Sequence, residues 1–311
     1  MQVRGIRLSL KSISLTAGKA GHTDIPRAVL FLLPSLVLFG VFVFYPLIRS
    51  ISLSFYANDL IGRPTLFVGL DQYRQLISIP SLRETLVNSA LFTVLTVVPG
   101  MILATALALL LQAKLAGIGV FRSLLATPFA FSVATASVVF AIFFNPGVGI
   151  FNGILQALHL PAVNWLTSPA TALPSIAAAT IWLHLGYGLL VLSAGLQAIP
   201  EDIYEAARLD GARGVGLLRQ VTLPLLTPSL FFLLVISTIN SLQSFGQIHI
   251  LTRGGPAGAT TTLVYSLYLN AFAFGSSNFG LSSAMAVVLF LVVVAITAAQ
   301  FGILERRVFY R

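Results

Sequence analysis

Cysteine is absent from this 311-residue chain, and charge is scarce: Asp and Glu together number nine, and charged residues make up 9% of the whole. Without cysteine there are no disulfides, no thiolate metal sites and no cysteine nucleophile, and the redox compartment stays undetermined. His22, His159, His184 and His249 are scattered without HxxxH or HExxH spacing, so no metal site is supported. The motif G-x-x-x-x-G-K-S/T is also missing, so nothing here cradles the phosphates of ATP. No nucleophile, base and orienting group fall together. The sequence therefore assigns no catalytic residue and no cofactor to this chain.

What is abundant is apolar: 57% of residues are hydrophobic and the mean hydropathy is +0.95. A soluble domain of this length cannot bury that much apolar surface in one core, so the chain reads as an integral membrane protein. A net charge of +9 raises nucleic acid as a partner, but the basic residues lie between hydrophobic runs and not on one polar face. Membrane lipid is the expected contact, and no nucleic acid.

Six runs are long enough to cross about 30 Å of hydrocarbon. They lie near 28–52, 86–112, 121–144, 172–198, 225–251 and 279–304. The first follows the basic tail 1–27 and is too long, and too poor in small residues at a cleavage site, for a removed signal peptide. With a cytoplasmic N-terminus, one side receives Arg4, Arg7, Lys11, Lys19, Arg27, Lys114, Arg122, Arg208, Arg213, Arg219, Arg306, Arg307 and Arg311. The other receives Arg49, Arg63, Arg74, Arg83 and Arg253. Thirteen against five predicts a multi-pass chain with both termini in the cytoplasm. All nine acids fall in tails, loops or span ends, which argues against a proton relay, while sodium coupling through carbonyls and hydroxyls stays open.

The longest charged interruption in the second half is Glu201 to Pro224, with four carboxylates and three arginines. A reversal of direction needs only a short polar turn, so a segment of this size is more than a connector. Pro200 ends the fourth span, and Glu201 and Asp202 place negative charge in the first turn of a new helix, where the dipole favours it. Glu205, Ala206 and Ala207 continue that helix with good formers. Asp210-Gly211 breaks it, and a short amphipathic piece leads to Leu223-Pro224, where the membrane resumes.

Glu205-Ala206-Ala207, then Gly211, then Val221-Thr222-Leu223-Pro224 resemble the EAA motif, E-A-A-x3-G-x9-I-x-L-P, of permease subunits in binding-protein-dependent ABC importers. Val221 in place of isoleucine is the single departure. Leu251 to Pro256, Thr260 to Tyr265, Asn145 to Ile150 with Asn152, Asn164-Trp165-Leu166 and, more loosely, Val68 to Tyr73 resemble loops of carbohydrate-type permeases. Within that group the chain is most similar to the first membrane subunit of importers for sugars, glycerol 3-phosphate or its diesters.

The resemblance implies an all-α polytopic membrane protein with six transmembrane helices and a cytoplasmic coupling helix, the type I importer architecture. It implies that Glu205, Ala206, Ala207, Asp210, Gly211, Leu223 and Pro224 couple the permease to an ATPase. The implied partners are a second homologous permease, two cytoplasmic ATPase subunits that hold ATP and Mg, and an extracytoplasmic solute-binding protein. Arg253, Gly254, Gly255 and Pro256 are candidates for docking the latter.

On the fifth span, Ser237, Asn240, Gln243, Ser244 and Gln247 recur at helical spacing, which predicts a polar stripe on one face. Such a stripe must face a partner helix or a wet pathway. As a pathway it offers hydroxyl and amide groups to a sugar or polyol; as glue it joins helices. Trp182 and Tyr187, with His184, are further pathway candidates on the fourth span, against ordinary packing. An ion-coupled secondary transporter of a small polar solute, or a scaffold subunit, remains the alternative to an ATP-driven importer.

Overall fold

A computed structural model describes residues 24–59, 61–112, 116–273 and 277–305. Most of the 1–27 tail and the basic residues Arg4, Arg7, Lys11, Lys19, Lys114, Arg306, Arg307 and Arg311 lie outside the described residues. The chain divides into two units, residues 1–49 and 50–311.

From Asp24 the first unit is helical. Helix α1 (Asp24–Phe39) passes into a π-helical turn, Gly40–Phe44, and then into α2 (Tyr45–Leu53). Pro34 lies inside α1, as proline is tolerated in membrane helices. Val29–Leu53, 25 residues, is long and apolar enough to span.

In the second unit, β1 (Tyr56–Asn58) and β2 (Pro64–Phe67) pair as a short antiparallel ribbon in an otherwise helical structure. Then follow α3 (Asp71–Ser78), α4 (Pro80–Leu110), α5 (Ile118–Ala126), α6 (Val133–Phe143), α7 (Ile150–Ala157) and α8 (Pro169–Gln197). The remainder comprises α9 (Glu201–Leu209), α10 (Val215–Leu217), α11 (Leu223–Leu242), α12 (Gly246–Leu251), α13 (Leu263–Phe272) and α14 (Phe279–Leu304). Among the described residues five helices are long and apolar enough to cross a membrane, or six if one bent pair is a single span.

Two expected spans differ from continuous helices. The run near 121–144 is that bent pair: α5 and a 3-10 turn (Thr127–Ala130) meet α6 at 103°. Pro128 supplies no N–H to the ladder; α5 gives way there to the 3-10 turn, and the chain becomes extended at Phe131, with φ −78° and ψ 141°. Ser132 then starts α6 as its N-cap, its Oγ accepting from the Thr135 amide at 3.1 Å. The run near 225–251 also breaks, after Leu242, and resumes at Gly246 as α12. Its helix begins earlier than expected: α10 and a π-helical turn, Leu218–Thr222, lead directly into α11.

Helix α8 is the axis of the second unit, because 61% of its most apolar stretch is buried against 22% for α4. Toward the end carrying residues 201–222, Ala104 and Ala108 of α4 pack with Leu185, Leu189, Leu192 and Leu196 of α8 and Leu226 and Leu233 of α11. Toward the opposite end, Phe92, Ile176, Ile248 and Tyr265 join α4, α8, α12 and α13. Leu76 of α3, Leu263 of α13 and Met285 of α14 form a third cluster with Leu82. The helices approach closely at glycines. A Cβ on Gly195 would overlap Ser229 Oγ of α11, and one on Gly186 would overlap the Ala126 carbonyl where α5 ends.

Overpacking a membrane helix contact costs about 1–3 kcal/mol. Gly195→Val is therefore expected to lower the thermal midpoint of the detergent-solubilised protein, whereas Gly302→Val, with nothing within 4 Å of the added carbon, leaves it unchanged. Equal midpoints for the two variants would show that α8 and α11 do not pack through Gly195.

Candidate functional site

Two places gather the residues singled out in the sequence: the charged segment Glu201 to Pro224, and a recess in the membrane-spanning part. Helix α9 begins after Pro200 with Glu201 and Asp202 in its first turn and carries Arg208 in its last, so its charges match the helix dipole at both ends. No residue of α9 is buried. Its end is a Schellman motif: the Ala212 amide donates to the Ala207 carbonyl at 2.9 Å and the Gly211 amide to the Arg208 carbonyl at 3.1 Å. Gly211 has φ +90°, which a side chain adopts only at a cost, although the space around it is empty.

The coupling candidates Glu205, Ala206, Asp210 and Gly211 are exposed, Ala207 is half-buried, and Leu223 and Pro224 are half-buried in the first turn of α11. Beside them two large apolar side chains are unusually open, Leu209 at 89% and Val215 at 69%. Behind α9 an open cleft of about 740 Å³ is lined by Gln112, Gln197, Tyr204, Leu218 and Thr222, among others. The segment is thus a stiff surface element, joined to α11 through a π-helical turn.

The recess lies between α4, α8 and α11. It holds about 50 Å³ of solvent, room for roughly four waters. Thr96 of α4, Thr180, His184 and Tyr187 of α8, and Ser237, Asn240 and Ser241 of α11 are its polar lining. Most hydroxyls here are already engaged. Thr96 Oγ1 donates to the Phe92 carbonyl at 2.8 Å and lies 2.7 Å from Ser241 Oγ, while Thr180 Oγ1 donates to the Ile176 carbonyl at 2.8 Å. Ser237, Asn240, His184 and Tyr187 differ: among the described residues their side chains meet no hydrogen-bonding group. In hydrocarbon, free donors and acceptors of this kind require water, a ligand or a partner helix.

The structure therefore splits the polar stripe expected on the fifth span. Half-buried Ser237 and exposed Asn240 line the recess, whereas Gln243, also exposed, follows the end of α11 and does not line it. Ser244 and Gln247 are buried and satisfy each other, Ser244 Oγ donating to Gln247 Oε1 at 2.9 Å. A single helical face requires an unbroken helix, and the break after Leu242 turns the last two residues elsewhere. Tyr187 lines the recess, but Trp182 does not; it packs against Phe131 and Phe140, with ring centroids 5.7 and 5.3 Å away. Thr96, Thr180 and Ser241 were missed. Thr85, Ser89, Thr93 and Thr96 recur at helical spacing on α4, a pattern that marks the inward face.

At the opposite end from α9, the loop candidates come together. Arg253 is exposed, and the backbone around it is held by its own hydroxyls: Thr260 Oγ1 donates to the Gly255 carbonyl at 2.7 Å and Thr261 Oγ1 to the Gly254 carbonyl at 3.0 Å. Asn88 of α4 ties the loop down through the Gly258 and Thr261 carbonyls, at 3.1 and 3.2 Å. Gly255 and Pro256 share an open cleft of about 600 Å³ with Asn145, Pro146 and Thr167, residues more than 80 positions away in sequence. Asn152 organises that second loop. Its Nδ2 donates to the Pro146 and Val163 carbonyls, both at 3.0 Å, and its Oδ1 accepts from the Val163 amide at 3.0 Å and Trp165 Nε1 at 2.9 Å.

Comparison with known proteins accords with this architecture. Residues 87–310 match the family described as "Binding-protein-dependent transport system inner membrane component". The chain is 37% identical over 284 residues to an sn-glycerol-3-phosphate transport system permease protein of Agrobacterium fabrum, covering 90% of this chain and 95% of that one. It is 34% identical over 279 residues to a trehalose/maltose transport system permease protein of Thermococcus litoralis, covering 90% and 94%. In fold it is similar to a chain of a bacterial alginate ABC transporter solved in complex with an alginate pentasaccharide-bound periplasmic protein, with a TM-score of 0.78 at 21% identity, covering 91% of this chain and 96% of that one.

Removing the Asn152 side chain strips four partly buried hydrogen bonds from one loop, a local cost of about 2 kcal/mol or more. Asn152→Ala is expected to speed amide hydrogen exchange across 146–166 by roughly thirtyfold, without changing exchange in α4 or α8. Unaltered exchange in that loop would remove Asn152 as its organiser.

Proposed function

This chain belongs to the family of binding-protein-dependent transport system inner membrane components, and from that premise we propose that it forms half of the solute pathway of an ATP-driven importer. The solute is hydroxyl-rich, of the sugar or polyol class, and the recess between α4, α8 and α11 is where the pathway narrows. One observation carries this reading: Ser237, Asn240, His184 and Tyr187 converge on a recess inside the spanning helices with their hydrogen-bonding groups unused. Relatives of the chain serve sn-glycerol 3-phosphate and trehalose/maltose transport, solutes rich in hydroxyls.

In the proposed assembly a second permease completes the pathway, a solute-binding protein docks on the loops around Arg253 to Pro256 and Asn145, and two ATPase subunits bind the cytoplasmic face. Both termini and the segment Glu201 to Pro224 then lie in the cytoplasm, as the distribution of Lys and Arg favours. The energy must come from outside the chain. It carries no ATP-binding motif, and the described residues of α4, α8, α11 and α14 include no carboxylate beyond Glu84, the fifth residue of α4.

In the proposed cycle ATP binds one arrangement of the ATPase pair more tightly than the other, and only that differential affinity shifts the permease. The exposed face of α9, with Glu205, Ala206 and Leu209, seats in the ATPase. Capping at Gly211 keeps α9 from fraying, and the π-helical turn Leu218–Thr222 passes its movement to α11, on which Ser237 and Asn240 stand.

Gly211 separates a coupling role from a folding role, because an added side chain meets no neighbour and only the backbone conformation is penalised. A left-handed residue other than glycine costs about 1–2 kcal/mol, less for Asn than for a branched side chain. In the reconstituted importer Gly211→Val is expected to assemble but lose substrate-stimulated ATP hydrolysis and uptake together, while Gly211→Asn retains both. Normal substrate-stimulated hydrolysis by the Val variant would sink the coupling assignment.

A further inference from the structure

We infer that the recess selects an uncharged, hydroxyl-rich solute and rejects phosphorylated or carboxylated ones. The inference rests on the importer reading and narrows it from a broad class to one without charge.

Three observations converge. First, every polar side chain lining the recess is a hydroxyl, a phenol, an amide or an imidazole: Thr96, Thr180, Tyr187, Ser237, Asn240, Ser241 and His184. Hydroxyl, phenol, amide and imidazole groups each donate and accept, which matches an alcohol that does the same. A phosphate only accepts when fully ionised, and half of this donor and acceptor set would be wasted on it.

Second, among the described residues no guanidinium or ammonium lines the recess. The described residues of α4, α8 and α11 contain one cation, Arg83, in the first turn of α4 beyond the end of the recess. Arg122 of α5 is engaged elsewhere: its Nη2 donates to the Leu111 carbonyl at 3.0 Å and so caps the end of α4. An anion taken from water into a recess walled by Val97, Met101, Leu185 and Leu233 loses its hydration, and only an opposite charge or a set of fixed donors offsets that loss.

Third, the local field has the wrong sign for an anion. Asn240 and Ser241 belong to the last turn of α11, so the carbonyl pole of that helix, with its partial negative charge, lies at the recess. Phosphate sites place the opposite pole of a helix at the ligand. A neutral alcohol is indifferent to the net field and can donate to those carbonyls.

The test uses the whole importer, this chain with its cognate permease, ATPase and binding protein, in proteoliposomes loaded with ATP. The liposomes are offered an equimolar mixture of glycerol, trehalose, maltose and glucose with glycerol 3-phosphate, trehalose 6-phosphate and glucose 6-phosphate, and the accumulated solutes are identified by mass spectrometry. Accumulation of a neutral member alone is expected; accumulation of a phosphate ester overturns the inference while leaving the importer reading intact. No ATP-dependent accumulation of any member counts against the importer reading itself. A second arm replaces Asn240 with either sign of charge. Asn240→Asp and Asn240→Lys are both expected to cut the uptake rate by about tenfold or more. Retained uptake in Asn240→Lys beside complete loss in Asn240→Asp would mean that the solute is an anion. Co-purification of each variant with the ATPase checks assembly, and the mixture experiment on the unaltered importer decides the question where a variant fails it.

Discussion

Hydrocarbon offers no hydrogen-bond partner, and that constraint organises this protein more than any single contact does. The response is visible along every spanning helix of the second unit. Thr85, Ser89, Thr93, Thr96 and Thr105 of α4, Ser137 of α6, Thr180 of α8 and Thr238 of α11 each turn the hydroxyl back onto a carbonyl of their own helix, at 2.7 to 2.8 Å. Once these are accounted for, the side chains left over acquire meaning. Gln72 Oε1, Tyr204 Oη, His249 Nδ1 and Gln300 Oε1 are single atoms left without a partner at scattered places, whereas Ser237, Asn240, His184 and Tyr187 all border one recess.

The same constraint explains where the backbone is allowed to break. The bend between α5 and α6 frees carbonyls, and α8 covers one of them with Gly186, whose missing side chain lets it reach Ala126. The break after Leu242 is covered by the pairing of Ser244 with Gln247 and by the packing of Ile248 under Phe92 and Ile176. Irregular backbone is tolerated because protein surrounds it. Both breaks fall on elements that flank α8, the most enclosed helix. Helix continues without a break from the π-helical turn Leu218–Thr222 only as far as Leu242, and the recess sits beside the last turns of that rod.

Much of this was legible beforehand. Hydropathy located the long apolar runs, because about 20 residues are needed to cross a bilayer whatever the fold. The helix over Glu201 to Leu209 and its stop at Gly211 were readable from Pro200, the acids of the first turn and the glycine, since capping is a local matter. The kink in the third run was also written locally, in Pro128 and in Ser132 three residues before Thr135, but a hydropathy window averages over such signals. The stripe from Ser237 to Gln247 failed for a different reason. Periodicity assumes a continuous helix, and nothing in Gln243-Ser244-Phe245-Gly246 states which of several turns the neighbouring helices will impose.

By itself the sequence determined the solvent, the long apolar runs and the helix that opens the charged segment Glu201 to Pro224, with its stop at Gly211. Those follow from composition and from interactions within a few residues. Only the tertiary structure decided which polar groups meet. It brought Thr96 and Ser241 within 2.7 Å across 145 residues, placed Asn145 beside Pro256, and withdrew Trp182 and Gln247 from a pathway that their spacing had suggested. The physical reason is that a helix presents several faces of similar chemistry, and the face turned toward the recess is set by how its neighbours pack. The segment Glu201 to Pro224 needed no such arbitration, because its role depends on what it leaves exposed.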